Sequence, residues 1–265
     1  MEKKKLRQNY FDQIFDVVLN ESLKANAKTE FLSDPKAIRL YQFTLTGLLE
    51  IKWIQEAFIK EYIPSSNKLY YQYQKEWKFS KYKNSIKLED KLLRETVNET
   101  IRLGYIGLFH KYEAFINGLV KETDEFFQDY WSTKLTLEQY IKNEFQISLT
   151  NNWKLSKTIE RINWICNSCK HYNGKPKLPK HSAYEEREDD QKLVFSSKEF
   201  KSDCESIYKY CEIMIQFVNL LASYRLCIEE DLTEEIIIEP TAKLIEAKQN
   251  LELQVNNFIE LIKKI

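Results

Sequence analysis

Glycine and proline are scarce in this chain of 265 residues, five of each. Both break regular elements, glycine by its wide conformational freedom and proline by its missing N–H, so their scarcity argues for long, regular secondary structure. Disorder is excluded by a hydrophobic content of 43%. Cysteine is scarce as well, with five residues at 166, 169, 204, 211 and 227. An odd number in a long chain is no disulfide framework, and a reducing cytoplasmic setting is expected. No stretch approaches 18 uninterrupted apolar residues, so no membrane span is expected. Behind the basic start Met1-Glu2-Lys3-Lys4-Lys5, residues Asn9, Asp12, Gln13 and Asp16 interrupt the apolar run that a signal peptide needs. An excess of either charge sign is also missing: 40 Lys+Arg face 40 Asp+Glu. No global field draws the chain to nucleic acid, so any electrostatic site must be a local patch.

What the chain does have is helical periodicity. Tyr10, Ile14, Val17 and Val18 make one stripe of an amphipathic helix over 4–30. Pro35 opens a second helix running to about Tyr62, where Ile63-Pro64 is expected to stop it. Segment 64–88 lacks a clean helical period and reads as a long connection with short strands. A helical block follows over about 89–128, then a capping box at Thr136-Leu137-Glu138-Gln139. The next helix, roughly 154–173, ends at Asn173-Gly174 with Pro176 beyond. Leu193-Val194-Phe195 suggests a brief strand. Ser196-Ser197-Lys198-Glu199 caps a helix that runs to about Cys227. After an acidic hinge, Leu244, Leu251, Phe258 and Ile265 recur every seven residues, a seam that packs on a straight partner helix. The fold class expected is all-α. Its divisions are 1–88, with the N-terminal helices and the connection; 89–227, a helical core; and 228–265, the hinge and heptad helix.

Three constellations could carry chemistry. Cys166-x-x-Cys169 with His171 has the residue types of a zinc site, with Cys204 and Cys211 as further candidates. It lies on the apolar face of a helix rather than in the turn such sites favour, so core packing is the better reading. From Asn67 to Leu88, six lysines and six aromatics interleave with one acid, Glu76. Stacking on rings with phosphate neutralisation holds single-stranded nucleic acid in this way. The plainer reading docks the rings on the helices and leaves the lysines in water, and it is favoured because no RNA-binding module pattern accompanies the residues.

The third is the stripe Asn163, Asn167, His171, spaced i, i+4, i+8 along one helix face. His171 sits in the last turn, where the helix dipole favours imidazolium. Around it no acid occurs between Arg161 and Tyr184, while Arg161, Lys170, Lys175, Lys177 and Lys180 supply five positive charges. A histidine at the edge of a basic, acid-free patch suits binding and proton transfer at a phosphodiester. In the helix at 89–128, His110 and Glu113 lie three apart, where an ordinary surface ion pair is expected.

The run Cys166-Asn167-Ser168-Cys169-Lys170-His171-Tyr172-Asn173-Gly174, late in one helix and followed by another, resembles the signature of HEPN domains, the higher eukaryotes and prokaryotes nucleotide-binding family. Its hallmark is Arg, then Asn or another polar residue, three variable residues and His. Asn167 and His171 match the second and last positions, while Cys166 stands at the Arg position. The likeness covers about 95–227 and is specific over these nine residues. It implies an all-α HEPN-like helical bundle with additional N- and C-terminal helices. It further implies a homodimer whose two motifs face one cleft, and metal-independent RNA cleavage with no cofactor, in a bacterial toxin or phage-defence setting. His171 would be the proton-transfer group and Asn167 a phosphate or orienting ligand. Lys170, Arg161, Asn163, Lys175 and Lys177 would make substrate contacts, with Glu113 in a supporting role. The missing Arg keeps a second reading open: a non-catalytic dimeric scaffold for a partner protein, encoded beside it, or for a nucleotide.

Overall fold

Helix is expected wherever apolar residues recur at 3.6-residue spacing, and the computed structural model of the chain is helical at those of these places that it describes. It describes residues 35–127 and 156–233, with single positions at 136, 139, 142, 143, 249, 252, 253, 256 and 260. The helix expected over 4–30 and the heptad residues Leu244, Leu251, Phe258 and Ile265 lie outside the described residues.

The helices are α1 (Pro35–Glu56), α2 (Ile63–Lys78), α3 (Asp90–Phe127), α4 (Lys157–His171) and α5 (Ser197–Thr233). A π-helical turn, Ala57–Tyr62, joins α1 to α2, and a 3-10 turn, Ser182–Tyr184, lies between α4 and α5. No strand occurs among the described residues, and the fold is all-α. Both capping boxes form. Gln139 N–H donates to Thr136 Oγ1 at 3.3 Å and Glu199 N–H to Ser196 Oγ at 3.1 Å, each with the reciprocal bond.

Three expectations are corrected. Segment 64–88 is helical as far as Lys78 rather than a connection, and Pro64 does not stop the helix. A proline inside an α-helix collides with the carbonyl four residues back. Here the chain widens into a π turn, with Ile63 N–H donating to Phe58 O, and Pro64 falls in the first turn of α2. The brief strand at 193–195 is absent. Leu193 N–H donates to Gly174 O at 2.7 Å and its carbonyl accepts from Arg102, so two isolated bonds replace a ladder. Finally, α5 continues through Glu229 and Glu230 to Thr233, so the start of the acidic hinge is helix.

The described chain falls into two compact units of discontinuous segments. One holds residues 35–49, 114–127 and 209–233. Its core includes Leu40, Leu48, Ile116, Leu119, Tyr210, Cys211 and Met214, all buried. The rings of Phe43 and Phe115 stack with centroids 5.9 Å apart. Each ring lies over a glycine of the opposite helix: a Cβ on Gly118 would come within 2.3 Å of Phe43, and one on Gly47 within 2.1 Å of Phe115. Only hydrogen at these two positions lets α1 and α3 approach so closely.

The other unit holds residues 50–113 and 157–208. Its helical segments enclose Ile51, Ile63, Ile101, Tyr105, Ile162, Ile165, Phe200 and Ile207. The stretch between α4 and α5 adds Tyr184, Leu193 and Phe195 to that core. Tyr105 is its aromatic centre, 4.8 Å from Phe195 and 5.0 Å from Phe200 between centroids. Every residue singled out around His171 belongs to this unit.

Candidate functional site

Helix α4 buries Ile159, Ile162, Ile165 and Cys166 and turns Asn163, Asn167, Lys170 and His171 outward. This follows from the 3.6-residue turn, which sets the stripe about 130° round the helix from the centre of the apolar face, with Asn163 and Asn167 half-exposed. The helix ends at His171, and the chain reverses through Asn173 (φ 54°) and Gly174 (φ 79°), both left-handed. Gly174 N–H donates to Ser168 O at 3.1 Å, closing the end of the helix. The chain then runs back along α4. Lys177 N–H donates to Ser168 Oγ at 3.0 Å, and Trp164 Nε1 donates to the carbonyls of Lys177 and Pro179, each at 3.1 Å. Lys175 and Lys177 are thereby held on the same end of the unit as Lys170 and His171.

Of the five cations in the acid-free stretch, two are neutralised. Arg161 is ion-paired with Asp203 and donates to Tyr184 Oη at 3.2 Å. Burial works against its charge, but the carboxylate of Asp203 prevails and raises its pKa. It lies ten residues before His171, about 15 Å along the axis, so α4 keeps the two apart. Lys180 pairs with Asp189, which draws the acidic run 185–190 onto it. Lys170, Lys175 and Lys177 have no acidic partner among the described residues. Lys170, Lys175 and His171 are exposed and Lys177 is half-exposed.

The polar stripe is partly self-satisfied: Asn167 Nδ2 donates to Asn163 Oδ1 at 2.8 Å. Glu113 lies close enough for its charge to act on the Cys166 thiol. Among the described residues it makes no hydrogen bond or ion pair with His110, Asn167 or His171, so the surface pair with His110 does not form.

Cys166, at the hallmark Arg position, is buried. Burial pushes its thiol up to about 11, the nearby charge of Lys170 opposing and that of Glu113 adding. Cys169 is pushed up to about 12, again chiefly by burial. Both are neutral thiols at ordinary pH, Cys166 buried and Cys169 half-buried. Cys204 and Cys211 are fully buried on α5. No group of three or more His, Cys, Asp or Glu among the described residues is placed to hold a metal ion.

Two residues that matter here escape a reading of spacing alone. Arg102 of α3 is 1% exposed and pairs with Glu95 and Glu99, while its Nη1 donates to Leu193 O at 2.7 Å. Its side chain lies on Gly174, where a Cβ would come within 2.8 Å of Arg102 Cδ. Arg102 thus clamps both the turn after α4 and the segment returning to α5. Its sequence signal is Glu95-x-x-x-Glu99-x-x-Arg102, one helix face in helical register. Asp203 is the second, buried on α5 and shared between Arg161 and Tyr105. A cleft of about 540 Å³, lined by Arg161, Tyr184, Ser196, Glu199 and Asp203, opens beside this pair.

In the Lys/aromatic segment, Tyr70 is buried and donates to Asp90 at 2.8 Å, but Tyr71, Tyr73, Phe79 and Tyr82 are exposed. The expectation that the rings dock on the helices fails for these four. Among the described residues, no helix is long and apolar enough to cross a membrane. Set against known protein families, curated proteins and solved structures, the chain matches none.

Proposed function

We propose that this chain is a HEPN-like RNA-binding protein that engages the phosphodiester backbone through Lys170, Lys175, Lys177 and His171. The observation that carries this reading is the charge sorting: in a chain of zero net charge, these three lysines lie on α4 and the turn after it with an exposed histidine, and none of them has an acidic partner among the described residues. Counterion release on neutralising phosphates supplies affinity at such a patch without sequence readout. His171 is the proton-transfer group of the proposed metal-independent cleavage: it takes the ribose 2′-hydroxyl proton as that oxygen attacks the adjacent phosphorus, the P–O5′ bond breaks, and the departing 5′-oxygen takes a proton from solvent, leaving a 2′,3′-cyclic phosphate. Asn167 orients that phosphate, and a second copy of the chain completes the cleft.

The test is incubation of purified protein with mixed RNA in EDTA, beside His171→Ala and Lys170→Gln/Lys175→Gln. Cleavage leaving 2′,3′-cyclic phosphate ends, lost in His171→Ala, supports the enzyme. Binding without cleavage at high protein concentration removes the catalytic part alone. No RNA binding removes the whole reading.

Cys166 favours the second reading, a non-catalytic dimeric scaffold. A neutral, buried thiol cannot supply the fork of donors that arginine brings to phosphate. A monomer at micromolar concentration by light scattering rules that scaffold out.

A further inference from the structure

We infer that the face of α2 and the turn after it form a stacking track for single-stranded RNA, separate from the His171 patch. This inference rests on the reading that the chain binds RNA. At 100° per residue, Lys68, Tyr71, Lys75 and Lys78 fall within about 80° of arc on α2, so cation and ring alternate along one side. Phe79, Lys81, Tyr82 and Lys83 continue the alternation past the end of the helix. Phe79 is 83% exposed and Tyr71 64%, large apolar surfaces left in water. The one acid of the segment, Glu76, points to another side of α2, where Gln72 Nε2 donates to it at 2.9 Å.

The docking side of α2 is centred about 115° round the helix from this track. Ile63 and Tyr70 are the buried positions, Ser66 meets Thr100 of α3 at 2.7 Å, and Gln74 donates to Asp90 at 3.0 Å. The docking face of the helix is filled, and the Tyr71 ring lies at its edge, 5.0 Å from the Tyr70 ring between centroids, with most of its surface still exposed. Lys81 places its ammonium 4.9 Å from the centre of the Tyr82 ring, keeping cation and ring together. Lys68, Lys75, Lys78, Lys83 and Lys87 have no acidic partner among the described residues. A single strand fits this chemistry: its phosphates neutralise the lysines, and its unpaired bases offer faces to Tyr71, Phe79 and Tyr82. A duplex hides those faces and does not fit.

Fluorescence anisotropy of the full chain with a labelled 20-nucleotide oligouridylate, titrated over salt, tests the track. Tyr71→Ala/Phe79→Ala is expected to weaken binding about tenfold or more at fixed salt, with the salt slope unchanged. Lys75→Gln/Lys78→Gln is expected to reduce that slope by about 1.4. All four side chains are exposed, and the far-ultraviolet circular dichroism of both variants is expected to match the parent. Wild-type affinity in the aromatic variant overturns the inference, as does tighter binding of a duplex of equal length. If only Lys170→Gln/Lys175→Gln loses the oligonucleotide, this track fails while the RNA reading stands. If only the track variants lose it, the reading of the His171 patch fails instead. No binding of any RNA overturns both. Binding to phosphatidylserine vesicles alone, lost in the track variants, makes this a membrane-facing surface and overturns the inference.

Discussion

Arg161 and Asp203 are ion-paired between α4 and α5, on a carboxylate whose other oxygen accepts from Tyr105 Oη at 2.7 Å. Burial, reinforced by Asp203, raises the pKa of Tyr105 so that the phenol stays a donor. Arg161 therefore belongs to the structural frame of its unit rather than to the exposed patch. Arg161→Met is expected to destabilise the protein by about 2–3 kcal/mol, because it leaves Asp203 buried without its cation. RNA affinity per folded molecule should not change. A wild-type melting temperature with weakened RNA binding would show Arg161 to be a ligand instead.

Gly174 and Arg102 support a second prediction. Gly174 sits at φ 79° beneath the Arg102 side chain, so Gly174→Ala meets both backbone strain and a collision. A cost of about 1–3 kcal/mol is expected in urea unfolding. Since this turn aims Lys175 and Lys177, RNA affinity should fall even at temperatures where the variant remains folded. Unchanged affinity would detach the turn from the patch.

The charges gathered at Arg102 make the unit acid-sensitive. Burial of Glu95 favours its neutral form, but the hydrogen bond from Lys192 and the charge of Arg102 outweigh burial and hold its carboxyl below 4.5. A depressed carboxyl stabilises the fold above its unfolded pKa and loses that contribution as pH falls through the folded value. Stability should therefore decline as pH drops below about 4.5. Urea midpoints measured between pH 7 and pH 3 should fall less steeply for Glu95→Gln, which already lacks the charge.

Cys166 allows a test of the departure from the hallmark. Its side chain is 6% exposed in the unit's core, so Cys166→Arg forces a guanidinium into apolar surroundings. A loss of about 3 kcal/mol or outright misfolding is expected, rather than a gain of nuclease activity. Cys166→Val, close in volume, should cost under about 1.5 kcal/mol. With the thiol pushed up to about 11, labelling by a thiol reagent at pH 8 should be slow until urea unfolds the protein. A soluble Cys166→Arg protein with increased RNA cleavage would return that position to the active site.

Helix α3 was legible almost to its ends, because Leu93, Val97, Ile101, Leu108, Tyr112 and Phe115 repeat at helical spacing. The capping boxes and the Asn173-Gly174 stop were legible for the same local reason. Helix α2 was not. Its lysines and exposed tyrosines obscure a docking face of few residues, and a π turn absorbed the proline that signalled an end. The acid-free stretch beside His171 was visible in sequence, but which of its cations are ion-paired was not, since Asp203 and Asp189 reach Arg161 and Lys180 through space.

By itself the sequence determined helix, end-caps and the scarcity of acid beside His171, because periodicity, capping and charge runs act over a few neighbouring residues. The tertiary structure decided which charges remain free, where Arg102 is buried, and that Tyr71 and Phe79 face outward. Those outcomes depend on which helix faces are filled by partners distant in the chain, and no local pattern encodes them.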